Sequence, residues 1–382
     1  MIRFARKAAA VLLLATVIIS FRGGIAAGED AAGFESAGEA AFNMKVGWNL
    51  GNSLDATGDW IAADTAGTIE DYETAWGNPV TPQSLFPKLK SMGVSTVRIP
   101  VTWRGHFDED GNIDPAWMSR VKELADWGLD AGLYVIINVH HDTGAEGWMR
   151  ASDAGYASGG PVFVRLWEQI GATFRDYPQE LLFEGFNELL DEGGEWNYPG
   201  EAAVNAVNRF NQDFVDTVRS TGGNNTRRNL ICSTYAAAVT GSCLTGWELP
   251  EDSAEGHLLA EVHCYVPYEF ITDEGITWTT PVSEYGPRVQ AAVDDFFTRL
   301  KNTFAAQDIP VVIGEFATDD KDNTDSRILW YSYVASQAHA INAPCIIWDN
   351  GHGFSMGIID RTGSDDEFPQ LIEACVQAYK TE

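Results

Sequence analysis

Two stretches of the chain end in acids where their pattern leads one to expect more apolar side chains. Leu181-Leu182-Phe183-Glu184-Gly185-Phe186-Asn187-Glu188 is a short apolar run that closes on an amide and a carboxylate. Ile309-Pro310-Val311-Val312-Ile313-Gly314-Glu315-Phe316 has the same form. Burying an ionisable group at a strand end costs free energy unless the group is paired or used. Two strands that each deliver a glutamate, Glu188 and Glu315, suggest a carboxylate pair for acid–base or nucleophilic work. In retaining glycoside hydrolysis such carboxyls stand about 5–5.5 Å apart, one as nucleophile and the other as acid, then base.

The acid of such a pair needs a raised pKa, and the nucleophile must stay ionised. A neighbouring cation would keep it so, and Arg98 in Thr96–Val101 is the candidate. Asn187 can hydrogen-bond a sugar hydroxyl. His140, His141, Asp142 and His263 raise the question of a metal. Adjacent strand residues point to opposite faces, so His140 and His141 are not expected to chelate one ion. A polar network that tunes the glutamates is the preferred reading. Thirteen Trp is a high count for 382 residues. Trp48, Trp103 and Trp348 fall at strand ends, and Trp60, Trp76, Trp148, Trp196 and Trp278 fall in loops. Flat apolar rings suit the C–H faces of pyranose sugars. Trp348 is the chosen candidate, Trp60, Trp76 and Trp148 stand behind it, and half or more of these Trp are expected in the core.

Something must hold these groups at one mouth. Eight β-rich runs follow one another: Lys45–Leu50, Thr96–Val101, Tyr134–Val139, Leu182–Asn187, Asn229–Thr234, Leu258–Tyr265, Pro310–Phe316 and Cys345–Asp349. Between them lie helix-like segments, among them Pro115–Ala131, Pro161–Tyr177, Ala202–Ser220, Val289–Ala306 and Ser326–Ala340, with Phe368–Tyr379 closing the chain. In the first, Met118, Val121, Leu124, Ala125 and Leu129 fall near helical spacing, and Asp114-Pro115 reads as an N-cap followed by an N1 proline. The alternation predicts an α/β fold, a single-domain TIM (β/α)8 barrel, whose active site forms at the C-terminal ends of the strands. A doubly wound sheet alternates likewise, but no GxGxxG follows the first run.

Acids outnumber bases 55 to 25, for a formal net charge of -30, which disfavours a nucleic-acid partner. A neutral polymer would not be repelled. Arg3, Arg6 and Lys7 precede the apolar run 8–21 and the small residues Gly23, Gly24, Ala26 and Ala27. That order predicts a signal peptide over 1–27, cleaved shortly after Ala26, and a secreted protein. An uncleaved anchor is the alternative, although the run is short of the roughly 20 residues a span needs. No other segment is apolar enough to enter a membrane. Residues 28–43 are Gly-, Ala- and Glu-rich and read as a short linker ahead of the domain 44–382. The five Cys are odd in number, so buried free thiols are expected, and a Cys232–Cys243 bridge is possible without support.

The segments Gly47-Trp48-Asn49-Leu50-Gly51-Asn52, Ala75-Trp76-Gly77-Asn78-Pro79, Thr96-Val97-Arg98-Ile99-Pro100-Val101-Thr102-Trp103, Asn138-Val139-His140-His141, Phe186-Asn187-Glu188, Val262-His263-Cys264-Tyr265, Ile313-Gly314-Glu315-Phe316 and Ile347-Trp348-Asp349-Asn350-Gly351 together resemble glycoside hydrolase family 5. They are most similar to its bacterial endoglucanase subfamily 4, from about Met44 onward. The resemblance implies Glu188 as acid/base and Glu315 as nucleophile, within a shell of Arg98, His140, Asn187, His263, Tyr265 and Trp348. It implies that Tyr265 hydrogen-bonds the nucleophile and that Trp348 stacks on the sugar beside the scissile bond. Substrates would be β-1,4-glucans, cleaved without metal or organic cofactor. Two departures stand out. Leu189 replaces the Pro that usually follows Asn-Glu, and Cys264 replaces an aromatic, which could alter the cleft wall.

The sequence thus points to a secreted, monomeric endo-β-1,4-glucanase whose partner is its β-glucan substrate. Rival readings are a xyloglucanase, xylanase or mannanase on the same backbone, a catalytically dead glycan-binding barrel, and a metal-dependent hydrolase.

Overall fold

The computed structural model describes residues 33–272, 282–353, 355–363 and 367–380. The expected signal peptide and Trp278 lie outside them. Eight parallel strands close into a barrel in sequence order: β1 Val46–Asn49, β2 Thr96–Ile99, β3 Tyr134–Asn138, β4 Leu181–Glu184, β5 Leu230–Ser233, β6 Leu258–His263, β7 Val311–Phe316 and β8 Cys345–Ile347. From Phe34 onward the chain is one compact unit. The fold is therefore the expected TIM barrel.

Strand parity sorts the side chains. Val97, Val135, Ile137, Phe183, Leu230, Ile313 and Ile347 face outward, into a core shared with the surrounding helices. Ile136, Leu182, Ile231, Leu259, Val312 and Ile346 face inward and fill the lower barrel. Two residues further along the same inward rows come Asn138, Glu184, Ser233, Glu261 and Trp348. On β3, β4, β5 and β6 the inward row thus changes from apolar to polar as the strand nears the mouth.

The six helical segments expected from the sequence fall at Pro115–Asp130, Asp153–Thr173, Glu201–Ser220, Pro287–Thr303, Thr324–His339 and Pro369–Ala378. Asp114 caps the first through Ala116 N–H at 2.8 Å, with Pro115 in the first turn. The second begins eight residues earlier than Pro161 suggests. The small residues Ala157-Ser158-Gly159-Gly160 leave room for the proline ring inside it. Between β5 and β6 there is no α-helix, only the 3₁₀ turn Tyr235–Ala237.

The linker reading of 28–43 needs correction from Phe34 onward. Ala37–Met44 is a helix, capped by the reciprocal Ser36–Glu39 pair. Its Ala37, Ala41 and Met44 pack on the inward apolar residues and floor the barrel. All five Cys are free and buried, so Cys232 and Cys243 are not bridged.

Candidate active site

Arg98 is the hub of the mouth. It is fully buried, and all five of its N–H groups are used. Nε and Nη2 fork onto Glu184 at 2.6 and 2.7 Å. Nη2 also donates to Asn187 Oδ1 at 2.9 Å. Nη1 donates to Asn49 Oδ1 at 2.8 Å and to Glu315 Oε1 at 2.7 Å. Asn49 is fixed in turn by donating to the Gly314 carbonyl at 2.9 Å. Burial pushes the Glu184 carboxyl up to about 7. Arg98, and Asn138 Nδ2 at 2.8 Å, aim N–H groups at its oxygens and hold the ion against that push.

Glu315 reaches the mouth through a break in register. Simple alternation would turn it outward, since Val312 faces in and Ile313 faces out. Against β6, Val262 pairs with Ile313 and His263 pairs with Glu315, so Gly314 is an extra residue. Against β8 the pairing also loses one residue between Ile313 and Phe316. This β-bulge re-aims Glu315 inward. Tyr265 then donates to its Oε2 at 2.9 Å, as the resemblance implied. Burial raises the Glu315 carboxyl, while His263 and Arg98 pull it back down.

Glu188 lies four residues past the end of β4 and is about a quarter exposed (23%). Its Oε1 is 2.7 Å from His263 Nδ1. The same nitrogen is 3.6 Å from Glu315 Oε2. One oxygen of Glu188 and one of Glu315 lie within 4.8 Å of each other and of the His263 ring nitrogen. That separation matches the paired-carboxylate spacing of about 5–5.5 Å and leaves no room for the water that fits a gap of roughly 6.5–9.5 Å.

The neutral and aromatic groups complete the wall. His140 accepts from Asn138 Nδ2 on Nδ1 at 3.0 Å, which puts its proton on Nε2. Burial, with His141 and Arg98 nearby, holds it neutral, well below the usual imidazole range. Trp348 stacks parallel to the His140 ring at 5.8 Å. Asn187 spends its oxygen on Arg98, so its amide N–H groups remain for a ligand. A cleft of about 830 Å³ runs over these groups, lined among others by Glu188, Glu315, Asn187, Trp348, Trp196 and Tyr268. All eight residues chosen from the sequence are therefore brought to one mouth.

Several expectations change. His140 and His141 are not on opposite strand faces, because β3 ends at Asn138 and their rings meet 4.5 Å apart. Oxygen and nitrogen atoms of Asp55, His140 and His141 lie within 4.8 Å of one another, yet two backbone N–H groups, of Asn52 and Ser53, already occupy the Asp55 oxygens. Asp142 holds its loop by accepting from Trp103 N–H, Arg104 N–H and the Trp148 indole at 2.7–2.8 Å. Trp148 is thereby a scaffold. Trp76 sits against His141, Trp60 is exposed away from the cleft lining, and Trp48 and Trp103 are core. Trp196, passed over in the sequence, does line the cleft. Cys264 is fully buried among the outward residues and does not touch the cleft wall. Leu189 is buried too, and its carbonyl accepts from Ala236 N–H at 3.2 Å. Sequence reasoning missed Glu184 and Glu261, although each is a charge inside an apolar run at the inward parity.

Residues 54–353 match the cellulase model of glycosyl hydrolase family 5. Endoglucanase B of Neocallimastix patriciarum is 36% identical over 350 residues, covering 90% of this chain and 72% of that protein. A broad-specificity endoglucanase of subfamily 4 from Clostridium longisporum superposes with a TM-score of 0.84 at 34% identity, covering 91% of this chain and 99% of the other. A family 5 enzyme from Prevotella bryantii B14, solved with a xyloglucan tetradecasaccharide, gives 0.81 at 36% identity, with coverage of 91% and 99%.

Proposed function

The chain belongs to glycosyl hydrolase family 5, the cellulase family, and from that premise we propose that it is a secreted, retaining endo-β-1,4-glucanase. The observation that carries the retaining mechanism is the Glu188–His263–Glu315 spacing of at most 4.8 Å. In the first step Glu315 attacks the anomeric carbon while Glu188 gives its proton to the departing glycosidic oxygen. The bond that forms is a glycosyl ester on Glu315, and its negative charge disappears with it. Glu188 then takes a proton from water, the water oxygen attacks the anomeric carbon, and the Glu315 ester breaks. Two inversions return the original configuration.

The remaining groups serve these two steps. Arg98 and Tyr265 hold one Glu315 oxygen each, which fixes the nucleophile and keeps it ionised. Asn187 amide N–H groups and His140 Nε2–H are donors for sugar hydroxyls. Trp348 offers a flat face to the ring beside the scissile bond.

Reducing-sugar release from barley β-glucan, carboxymethylcellulose, xyloglucan, xylan and mannan tests the substrate. The glucans are expected to be cleaved; hydrolysis of mannan or xylan alone would overturn the assignment. Xyloglucan is the second reading, supported by the likeness to the Prevotella bryantii enzyme bound to it. Faster cleavage of xyloglucan than of barley β-glucan would favour it. Export rests on the basic-then-apolar order of residues 3–27. An N-terminus beginning just after Ala26 in protein recovered from the medium is the expected result.

A further inference from the structure

Among the carboxylates at the mouth, Glu261 has no part in the two steps above. It lies on β6, two residues before His263 and on the same face. It is fully buried. Oε1 is 2.9 Å from His263 Nε2, and the Ser233 hydroxyl bonds Oε2. Arg98 Nη2 reaches it at 3.7 Å. The backbone is cleared to admit it: a Cβ on Gly314 would stand 2.1 Å from Oε1. The result is a continuous line from Glu261 through His263 to Glu188, with contacts of 2.9 and 2.7 Å.

We propose that Glu261 is a positioning residue for the acid/base, holding His263 with a proton on each nitrogen so that the proton of Glu188 is placed on the oxygen that faces the glycosidic bond. The proposal rests on Glu188 being the acid. Were His263 neutral and protonated on Nε2, Nδ1 would carry a lone pair. The acid's proton would then point at the ring and away from the substrate. With Nδ1–H donated to Glu188 Oε1, the proton of Glu188 is left on the oxygen that faces the cleft. A carboxylate behind Nε2 selects this second arrangement, because it accepts a hydrogen bond and stabilises the positive ring. Glu188 faces the His263 ring from beyond β4, Glu261 from its own strand and Glu315 from β7; Tyr265 meets it edge-on at 6.3 Å, and Arg98 on β2 and the neutral His140 beyond β3 also act on this cluster. Burial opposes the charged ring, while the Glu315 and Glu261 carboxylates favour it more than any other neighbour does.

The test compares a substrate that needs leaving-group protonation with one that does not. Barley β-glucan is the first and 2,4-dinitrophenyl β-cellobioside the second, and kcat/KM is read for each. Glu261→Gln keeps the shape of the side chain and removes its charge. Its kcat/KM on β-glucan is expected to fall about 10–100-fold, part of the roughly 10²–10⁴-fold that general acid catalysis supplies. Its value on the dinitrophenyl substrate stays within about threefold, since little acid assistance is lost there. Removing the Glu261 anion makes the His263 proton easier to lose, and its loss turns the Glu188 proton toward the ring, so the alkaline limb of the β-glucan profile moves to lower pH. Equal losses on the two substrates with an unmoved limb would overturn the proposal and leave Glu261 a structural residue. Glu188→Gln is measured alongside. If it too loses both substrates equally, the assignment of the acid is what fails. Should Glu261→Gln not fold, Ser233→Ala leaves the charge but frees Oε2, and a smaller change of the same leaving-group dependence is expected; none would refute the relay.

Discussion

Replacing Arg98 by Met should produce a loss of stability that depends on pH. Arg98 supplies the Glu184 carboxylate with two of its N–H donors and the only cation paired with it among the described residues. Even with that help, burial pushes Glu184 up to about 7. Without Arg98 that value rises further, because the cation and the N–H donors that favour the ion are gone. Below about pH 7 Glu184 holds its proton in parent and variant alike, so its proton-linked stability is the same in both. Above about pH 7 only the variant keeps the proton, and its loss relative to the parent grows as pH rises, by up to about 1.4 kcal/mol per unit. Urea unfolding of Arg98→Met and the parent at about pH 6 and about pH 9 is the assay. A loss larger at the higher pH by at least about 1.4 kcal/mol is expected from that slope. An equal loss at the two pH values would refute the idea that Arg98 favours the buried carboxylate ion.

Two further substitutions probe other parts of the account. Gly314→Ala places a methyl 2.1 Å from Glu261 Oε1, so Glu261 must yield its place beside His263. It should cost about 1–3 kcal/mol as overpacking does, and lower kcat on β-glucan, read by urea unfolding and initial rates. Met44→Ala opens a hole under the barrel floor, where Met44 is fully buried. It should cost about 2–5 kcal/mol in the same unfolding assay while leaving the pH–rate profile in place. A stability unchanged from the parent would remove the N-terminal helix from the core.

The barrel and its catalytic pair were legible because each strand is an apolar run and each acid interrupts one. Glu188 and Glu315 stood out at the ends of such runs. Glu184 and Glu261 were as visible in principle, since Leu182 and Glu184, and Leu259, Glu261 and His263, share a parity. Reading each strand by alternate residues finds them, and it also turns Cys264 away from the cleft. The helix Ala37–Met44 was hidden by its Gly/Ala composition, although Ser36 and Glu39 carry the spacing of a capping box. The bulge at Gly314 is of another kind. It exists only as a mismatch in residue count against β6 and β8, and no local pattern records such a mismatch. The meeting of His140 and His141 likewise depends on where β3 stops.

The central claim is that Glu315 and Glu188 act from adjacent positions on one anomeric carbon, through a covalent intermediate. Proton NMR of the reducing ends as cello-oligosaccharide hydrolysis begins tests it directly. The β-anomer should appear first and only later mutarotate to the mixture. An initial product in the α configuration would contradict the mechanism.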